Sequence, residues 1–122
     1  MDANTREDLR DAIASIADMM ERSAKAQKKF AQGTSQHTLQ KNRIHALAVA
    51  SALIRHELDE ETADNEFSKE SLEKALAPIE SLISKSEKAK QKLKPGTWQH
   101  TMLAKNLKAL YIALPLVSKK AH

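Results

Sequence analysis

The chain carries the segment GTSQHT at residues 33–38 and, 63 positions later, the segment GTWQHT at residues 96–101. The similarity extends outward, because an ungapped alignment of residues 25–54 with residues 88–117 has 12 identities in 30 positions. A self-similar period of this length identifies the structural unit of a chain. The sequence therefore predicts two copies of one unit within a single domain, residues 1–122.

Composition favours an all-α fold. The 122 residues include two glycines and three prolines, which leaves few turns and favours long elements. Alternating apolar and polar runs rich in β-branched residues, the pattern typical of strands, are absent. The lack of cysteine excludes disulfide bonds and thiolate metal sites.

Two features of the sequence predict a cytoplasmic protein. The longest apolar runs, at residues 46–54 and 109–117, are about half as long as a membrane-spanning helix requires. The first residues are polar and acidic, unlike a secretory signal. We therefore expect no association with a membrane.

Apolar residues that recur every three or four positions predict four helices. The first begins at Thr5 and stops at Gly33, which can adopt the left-handed conformation that ends many helices. Thr34 then caps the second helix, so we expect a connection of only about two or three residues. The predicted boundaries are a first hairpin over residues 5–58, an acidic linker over residues 59–67 and a second hairpin over residues 68–120.

Proline falls inside both helices of the second hairpin. Pro78 predicts a kink, or a short helix followed by a restart, because proline removes a hydrogen bond and clashes with the preceding turn. Pro115 lies close to the end of its helix, where we expect it to fray only the last turn.

Neither hairpin can bury its apolar stripe alone, so we expect an antiparallel up-down-up-down four-helix bundle. A helix of about 25 residues is about 38 Å long, whereas a nine-residue linker spans at most about 30 Å. The linker therefore cannot carry the chain back along the bundle. The two Gly-Thr segments, corner 1 (residues 33–38) and corner 2 (residues 96–101), should lie at the same end.

Charge is unevenly distributed along the sequence. All 16 carboxylates fall in residues 1–21 and 57–87, so residues 22–56 and 88–122 carry only basic charges. On the predicted bundle the basic segments meet around the two corners and form a positive end. Helix dipoles account for lysines near helix C-termini, but not for basic residues early in helices. A functional positive surface and an ordinary solvated surface both remain open interpretations.

The corners are candidate anion sites. Thr34 and Thr97 begin helices whose first amides carry partial positive charge, which favours phosphates or carboxylates. The competing interpretation is that the corner side chains only bond the local backbone. Trp98 either contacts a partner or folds over its own corner.

The candidate residues for binding an anion or a partner share a place at the corners or on the basic segments beside them. They are Lys25, Lys28, Lys29, Thr34, Gln36, His37, Lys41, Arg43, Lys88, Lys90, Lys92, Lys94, Thr97, Trp98, Gln99, His100, Lys105 and Lys108.

Catalytic signatures are missing from the sequence. There is no Gly-rich phosphate loop, no nucleophile elbow and no pair of histidines at metal-chelating spacing. We therefore expect a protein that is not an enzyme and that uses no cofactor or metal.

Three functions remain open. The first is a small binding or adaptor module whose basic corner end contacts an acidic protein surface. The second is a sequence-nonspecific nucleic-acid-binding accessory protein that uses the same end on phosphates. The third is a structural protein that forms homo-oligomers through the alanine-rich face of its second helix.

Overall fold

Four α-helices form the described part of the chain. The computed structural model describes residues 4–58 and 67–122. The helices are α1 (Arg6–Gln27), α2 (Ser35–Glu57), α3 (Lys69–Gln91) and α4 (Trp98–Ala121). Their mutual packing confirms the predicted all-α four-helix bundle. The up-down-up-down order and the duplication stay predictions, and the predicted linker lies outside the described residues except for Phe67, which packs against the core.

Each helix begins at a hydroxyl side chain that the sequence predicts as a cap. Thr5, Thr34, Ser68 and Thr97 each accept a hydrogen bond from the backbone N–H three residues later, at 3.0–3.2 Å. The amide of Thr5 also donates to the carboxylate of Asp8 at 3.2 Å, which completes a capping box on α1. Each cap satisfies one of the amides that a helix start leaves without a partner, and typically contributes about 1 kcal/mol.

The connections are longer than the sequence predicts. The helix α1 ends at Gln27 rather than at Gly33, so seven residues, 28–34, lie between α1 and α2. Tight turns end the helix first, because the amide of Lys29 donates to the carbonyl of Ala26 at 3.1 Å. Gly33 does adopt a positive φ of 89°, but it uses this conformation to enter the cap of α2. Gly96, with φ 90°, does the same before α4.

Neither proline interrupts its helix. The helix α3 is continuous through Pro78, so the predicted restart is wrong, and α4 continues for six residues beyond Pro115. Pro115 is exposed and Pro78 is half-buried. Near the surface, water can bond the backbone carbonyl that a proline leaves without a donor, which keeps the disruption local. The kink at Pro78 stays a prediction.

Two helices that contact each other bury small side chains. Among the described residues α2 contacts α4 across the bundle, whereas α1 and α3 do not contact each other. Four alanines on the contacting pair, at equivalent positions of the two hairpins, are at most 1% exposed: Ala46, Ala50, Ala109 and Ala113. The predicted alanine face is narrower than expected, because Ala48 is exposed and Ala52 is only half-buried.

We predict that the Ala46→Leu substitution, alone or with Ala109→Leu, lowers the free energy of unfolding by about 1–3 kcal/mol per site, because the added carbons have no space in the core. Urea denaturation measures this difference. The Ala48→Leu variant is the matched control, since Ala48 is exposed on the same helix. Equal stability of the Ala46→Leu and Ala48→Leu variants would contradict the prediction.

Candidate functional site

One contact between α1 and α4 supports the prediction that the two corners lie at the same end of the bundle. The guanidinium of Arg22, five residues before α1 ends, contacts the sulfur of Met102, the fifth residue of α4. The end of α1 leads into corner 1, and α4 starts within corner 2. This contact therefore brings together the chain segments that the site hypothesis requires to be neighbours.

The corners have the same internal hydrogen bonds. The hydroxyl of Thr34 donates to the carbonyl of Ala31 at 2.7 Å and accepts from the amide of His37 at 3.2 Å. The hydroxyl of Thr97 makes the equivalent bonds to Lys94 and His100, at 2.8 and 3.2 Å. These bonds show that the threonines shape the corners, as the structural interpretation of the motif predicts.

The helix starts at the corners keep an uncompensated partial charge. In α2 and α4 the cap uses the third amide, which leaves the first two amides without an acceptor inside the helix. The first turns of α1 and α3 contain carboxylates, whereas those of α2 and α4 contain none. Exposed Gln36 and Gln99 and half-buried His37 and His100 lie in these turns. The amides therefore add to the positive potential of the corner end.

Most of the predicted lysines carry no ionic partner. Over residues 4–58 and 67–122, eight of them have no carboxylate oxygen within 4.0 Å: Lys28, Lys29, Lys41, Lys88, Lys90, Lys92, Lys94 and Lys105. Lys25 differs, because its ammonium group pairs with Glu21 at 3.3 Å. Lysines without partners on both hairpins form the charged part of the candidate site.

Lys105 and Lys108 lie beside carboxylates of α1 rather than on a purely basic surface. Lys108 is the eleventh residue of α4, and its ammonium group bonds the carboxylate of Asp8 on α1 at 2.8 Å. This hydrogen bond lowers the pKa of Asp8, and the same bond raises the pKa of Lys108. Lys105 lines the same surface, beside Asp8 and Asp11. The helix-dipole argument does not apply so far along a helix, and these two lysines face the acidic beginning of α1.

Arg43 belongs to the interior rather than to the predicted surface. It is 7% exposed, and its Nε atom has no hydrogen-bond partner in the described part of the chain. Burial lowers the pKa of the guanidinium. The spacing explains the placement, since Arg43 precedes buried Ala46 and Leu47 by three and four residues on one helix face. Arg43 is therefore not available to a surface partner.

The corner end also exposes large apolar side chains. Trp98 is 70% exposed, so the interpretation in which it covers its own corner is wrong. Phe30 and Leu39 are 38% and 42% exposed. In the described part of the chain only one other large apolar side chain, Tyr111, is exposed to this degree. The corner end therefore combines unpaired positive charge with accessible apolar surface.

Besides the contact of α2 with α4, the hairpins meet along two seams: seam A, where α1 packs on α4, and seam B, where α2 packs on α3. In seam A the Nζ atom of Lys108 lies 2.8 Å from Asp8, and in seam B the Nε2 atom of His45 lies 3.1 Å from the hydroxyl of Ser71. Both residues of the second contact are 63 positions from their counterparts in the first. Sequence comparison could have found this pairing by aligning residues 5–24 with residues 68–87.

We predict that the Arg43→Met substitution raises the free energy of unfolding by about 1 kcal/mol, because it removes a buried donor without an acceptor and keeps the side-chain volume. Thermal and urea denaturation measure the change. The matched control is Lys41→Met, an exposed residue of the same helix, which should leave stability nearly unchanged. A destabilised Arg43→Met variant would show that the guanidinium makes favourable interactions in solution.

We also predict that the Lys108→Met substitution reduces the loss of stability in acid. Because the pKa of Asp8 is lowered in the folded chain, its ion pair stabilises the fold above the ordinary aspartate pKa of about 3.9. This contribution disappears as the pH falls through the lower folded-state value. Urea midpoints at about pH 6 and pH 2 should therefore differ less in the variant than in the wild type. A Lys119→Met control should behave as wild type, and equal acid losses in all three proteins would contradict the prediction.

In the part of the chain that the structure covers, no three His, Cys, Asp or Glu side chains are grouped so that they could hold a metal ion. None of the four helices combines the length and the apolar character that crossing a bilayer requires. No protein-family model matches the chain, and neither the curated proteins nor the solved structures include a significant match.

Proposed function

We propose that the chain is a small non-enzymatic binding module whose corner end receives an acidic protein partner. The observation that carries this proposal is the exposure of Trp98, at 70%, on an end where lysines of both hairpins have no carboxylate partner among the described residues. Tryptophan, like tyrosine and arginine, is enriched in the energetic centres of protein interfaces.

The energetics of the free chain support the proposal. Like charges gathered at one end repel one another and lower the stability of the compact state. Exposed apolar side chains contribute no burial to the fold. These residues therefore contribute little to the stability of the free chain. A partner that covers Trp98 and supplies carboxylates would bury apolar surface and neutralise the repelling lysines.

An acidic protein fits this end better than a nucleic acid does. Base stacking would use Trp98, and the lysines would neutralise phosphates, so nucleic-acid binding is the second candidate. Phe30 and Leu39 are exposed at the same end. Leucine has no stacking face for a base, whereas mixed apolar and charged contacts are typical of protein interfaces.

Homo-oligomerisation through the alanine-rich face of α2 lacks support. Ala46 and Ala50 are completely buried within the same chain and are not accessible to a second copy. A face already used in the core cannot also form an interface without opening the bundle.

We predict that the Lys92→Glu, Lys94→Glu double variant binds polyglutamate at least about tenfold more weakly than wild type, because it reverses charge beside corner 2. Trp98 is the only tryptophan, so its fluorescence during titration reports on the corner end. The matched control is Lys119→Glu with Lys120→Glu, at the far end of α4, about 30 Å away. Each lysine-to-glutamate change removes two units of charge, so both double variants bring the formal net charge from +4 to zero.

The control has the same net charge as the Lys92→Glu, Lys94→Glu variant, but it should bind polyglutamate nearly as well as wild type does. Equal weakening in both double variants would mean that only total charge matters and would contradict a site at the corners. Generic duplex DNA serves as the second probe. Tighter binding of DNA than of polyglutamate, with a steep loss of affinity in salt, would favour the nucleic-acid function instead.

A further inference from the structure

The two seams have diverged from a common arrangement. Moving from seam A to seam B by 63 positions replaces Asp8 with Ser71 and Asp11 with Lys74 on one side, and Lys108 with His45 on the other. The contact between the helices persists at 3.1 Å, but it no longer joins opposite charges. Asp8 and Asp11, which lie beside the cations of seam A, therefore have no carboxylate at the equivalent positions of seam B.

Seam A is largely filled by its own residues. Its cleft has a volume of about 320 Å³, and the ion pair of Lys108 with Asp8 bridges it. Met102 of α4 is contacted by the guanidinium of Arg22 and is only half-exposed. In seam A, therefore, α1 supplies the carboxylates, and its Arg22 covers the apolar side chain of Met102.

Seam B is an open groove. Its volume is about 1010 Å³, and its lining includes Leu39, Lys41, His45, Ala77 and Pro78. Leu39 is the counterpart of Met102 and is 42% exposed. The carboxylate of Glu70 forms an ion pair with the ammonium group of Lys74 at 2.9 Å, whereas Lys41 has no carboxylate partner among the described residues. Apolar surface and an uncompensated cation therefore lie side by side.

The pair His45 and Ser71 could suggest a nucleophilic serine with its base. The Nε2 atom of His45 lies 3.1 Å from the Ser71 hydroxyl but also 3.3 Å from the Ser71 carbonyl oxygen. Which of the two bonds forms depends on the tautomer, because a protonated Nε2 donates to the carbonyl and an unprotonated Nε2 accepts from the hydroxyl. The equivalent contact in seam A is an ion pair that holds two helices together. The pair is therefore a contact between hairpins rather than a catalytic dyad.

We infer that the groove of seam B, beside Leu39 and Lys41, is the docking site for an acidic amphipathic helix of a partner protein. Apolar side chains of this helix enter beside Leu39, Ala77 and Pro78, and its carboxylates face Lys41 and His45. The lining supports this choice of occupant, because an amphipathic helix presents carboxylates and apolar side chains together, which match the unpaired Lys41 and the apolar Leu39 and Pro78. The inference rests on the proposed function and deepens it, since Lys41 belongs to the corner end.

The test measures binding of a labelled synthetic helix to the full-length chain. The synthetic helix has leucines at every third and fourth position and glutamates elsewhere. The Ala77→Glu substitution places a carboxylate in the groove at an exposed position and should weaken binding at least about tenfold. The matched control is Ala14→Glu, its counterpart 63 positions earlier, exposed in seam A, which should bind as wild type. Circular dichroism confirms that both variants keep their helix content.

The outcomes separate this inference from the proposed function. Binding lost in Lys92→Glu with Lys94→Glu but unchanged in Ala77→Glu would overturn the groove and leave the corner end as the contact. Binding lost in Ala77→Glu but unchanged in the lysine variant would support the groove and contradict the corners. Equal losses in Ala77→Glu and Ala14→Glu, or equal binding of a helix with lysines in place of the glutamates, would also overturn the groove.

Discussion

At each corner a single threonine hydroxyl holds two backbone groups, donating to a carbonyl three residues earlier and accepting from an amide three residues later. The preceding glycine makes this possible with φ near +90°, a conformation that side chains with a Cβ rarely adopt. A Cβ at Gly33 or Gly96 would meet no atom within 4 Å, so these positions favour glycine because of their backbone conformation and not because space is lacking. Both corners turn the chain in this way, and the contact of Arg22 with Met102 places the end of α1 beside the start of α4.

Residues that cap and pack the helices recur in the two hairpins, whereas the residues of the polar contacts across the two seams do not. Threonine caps and buried alanines recur at equivalent positions, as at Ala46 and Ala109. In the seams, Ser71 stands at the position equivalent to Asp8, and His45 at the position equivalent to Lys108. Seam A therefore has an ion pair at this contact and seam B does not. Exposed ion pairs contribute little to stability, so a seam can lose one without unfolding the domain.

Local signals in the sequence predicted most of the fold but only part of the site. Caps such as Thr34 depend on residues within one turn, and the helical period depends on neighbours along one face, so both could be read directly. The partner of Lys108 lies 100 residues away, at Asp8, and only the assembled bundle shows that the two meet. The charge of Arg43 predicts a surface position, whereas its spacing from Ala46 and Leu47 puts it on the buried face. The exposure of Trp98 depends on how its side chain packs, which residue type alone does not fix.

The central claim is that corners 1 and 2 share one end of the molecule. The chain has no cysteine, so Gln36→Cys and Gln99→Cys, both exposed, allow specific spin labelling for a distance measurement by double electron–electron resonance. Helices in contact lie about 8–10 Å apart, so corners at the same end should be separated by about 10–20 Å, plus the label arms. A helix of 23 residues is about 35 Å long, and a distance of that length or more would place the corners at opposite ends and contradict the account.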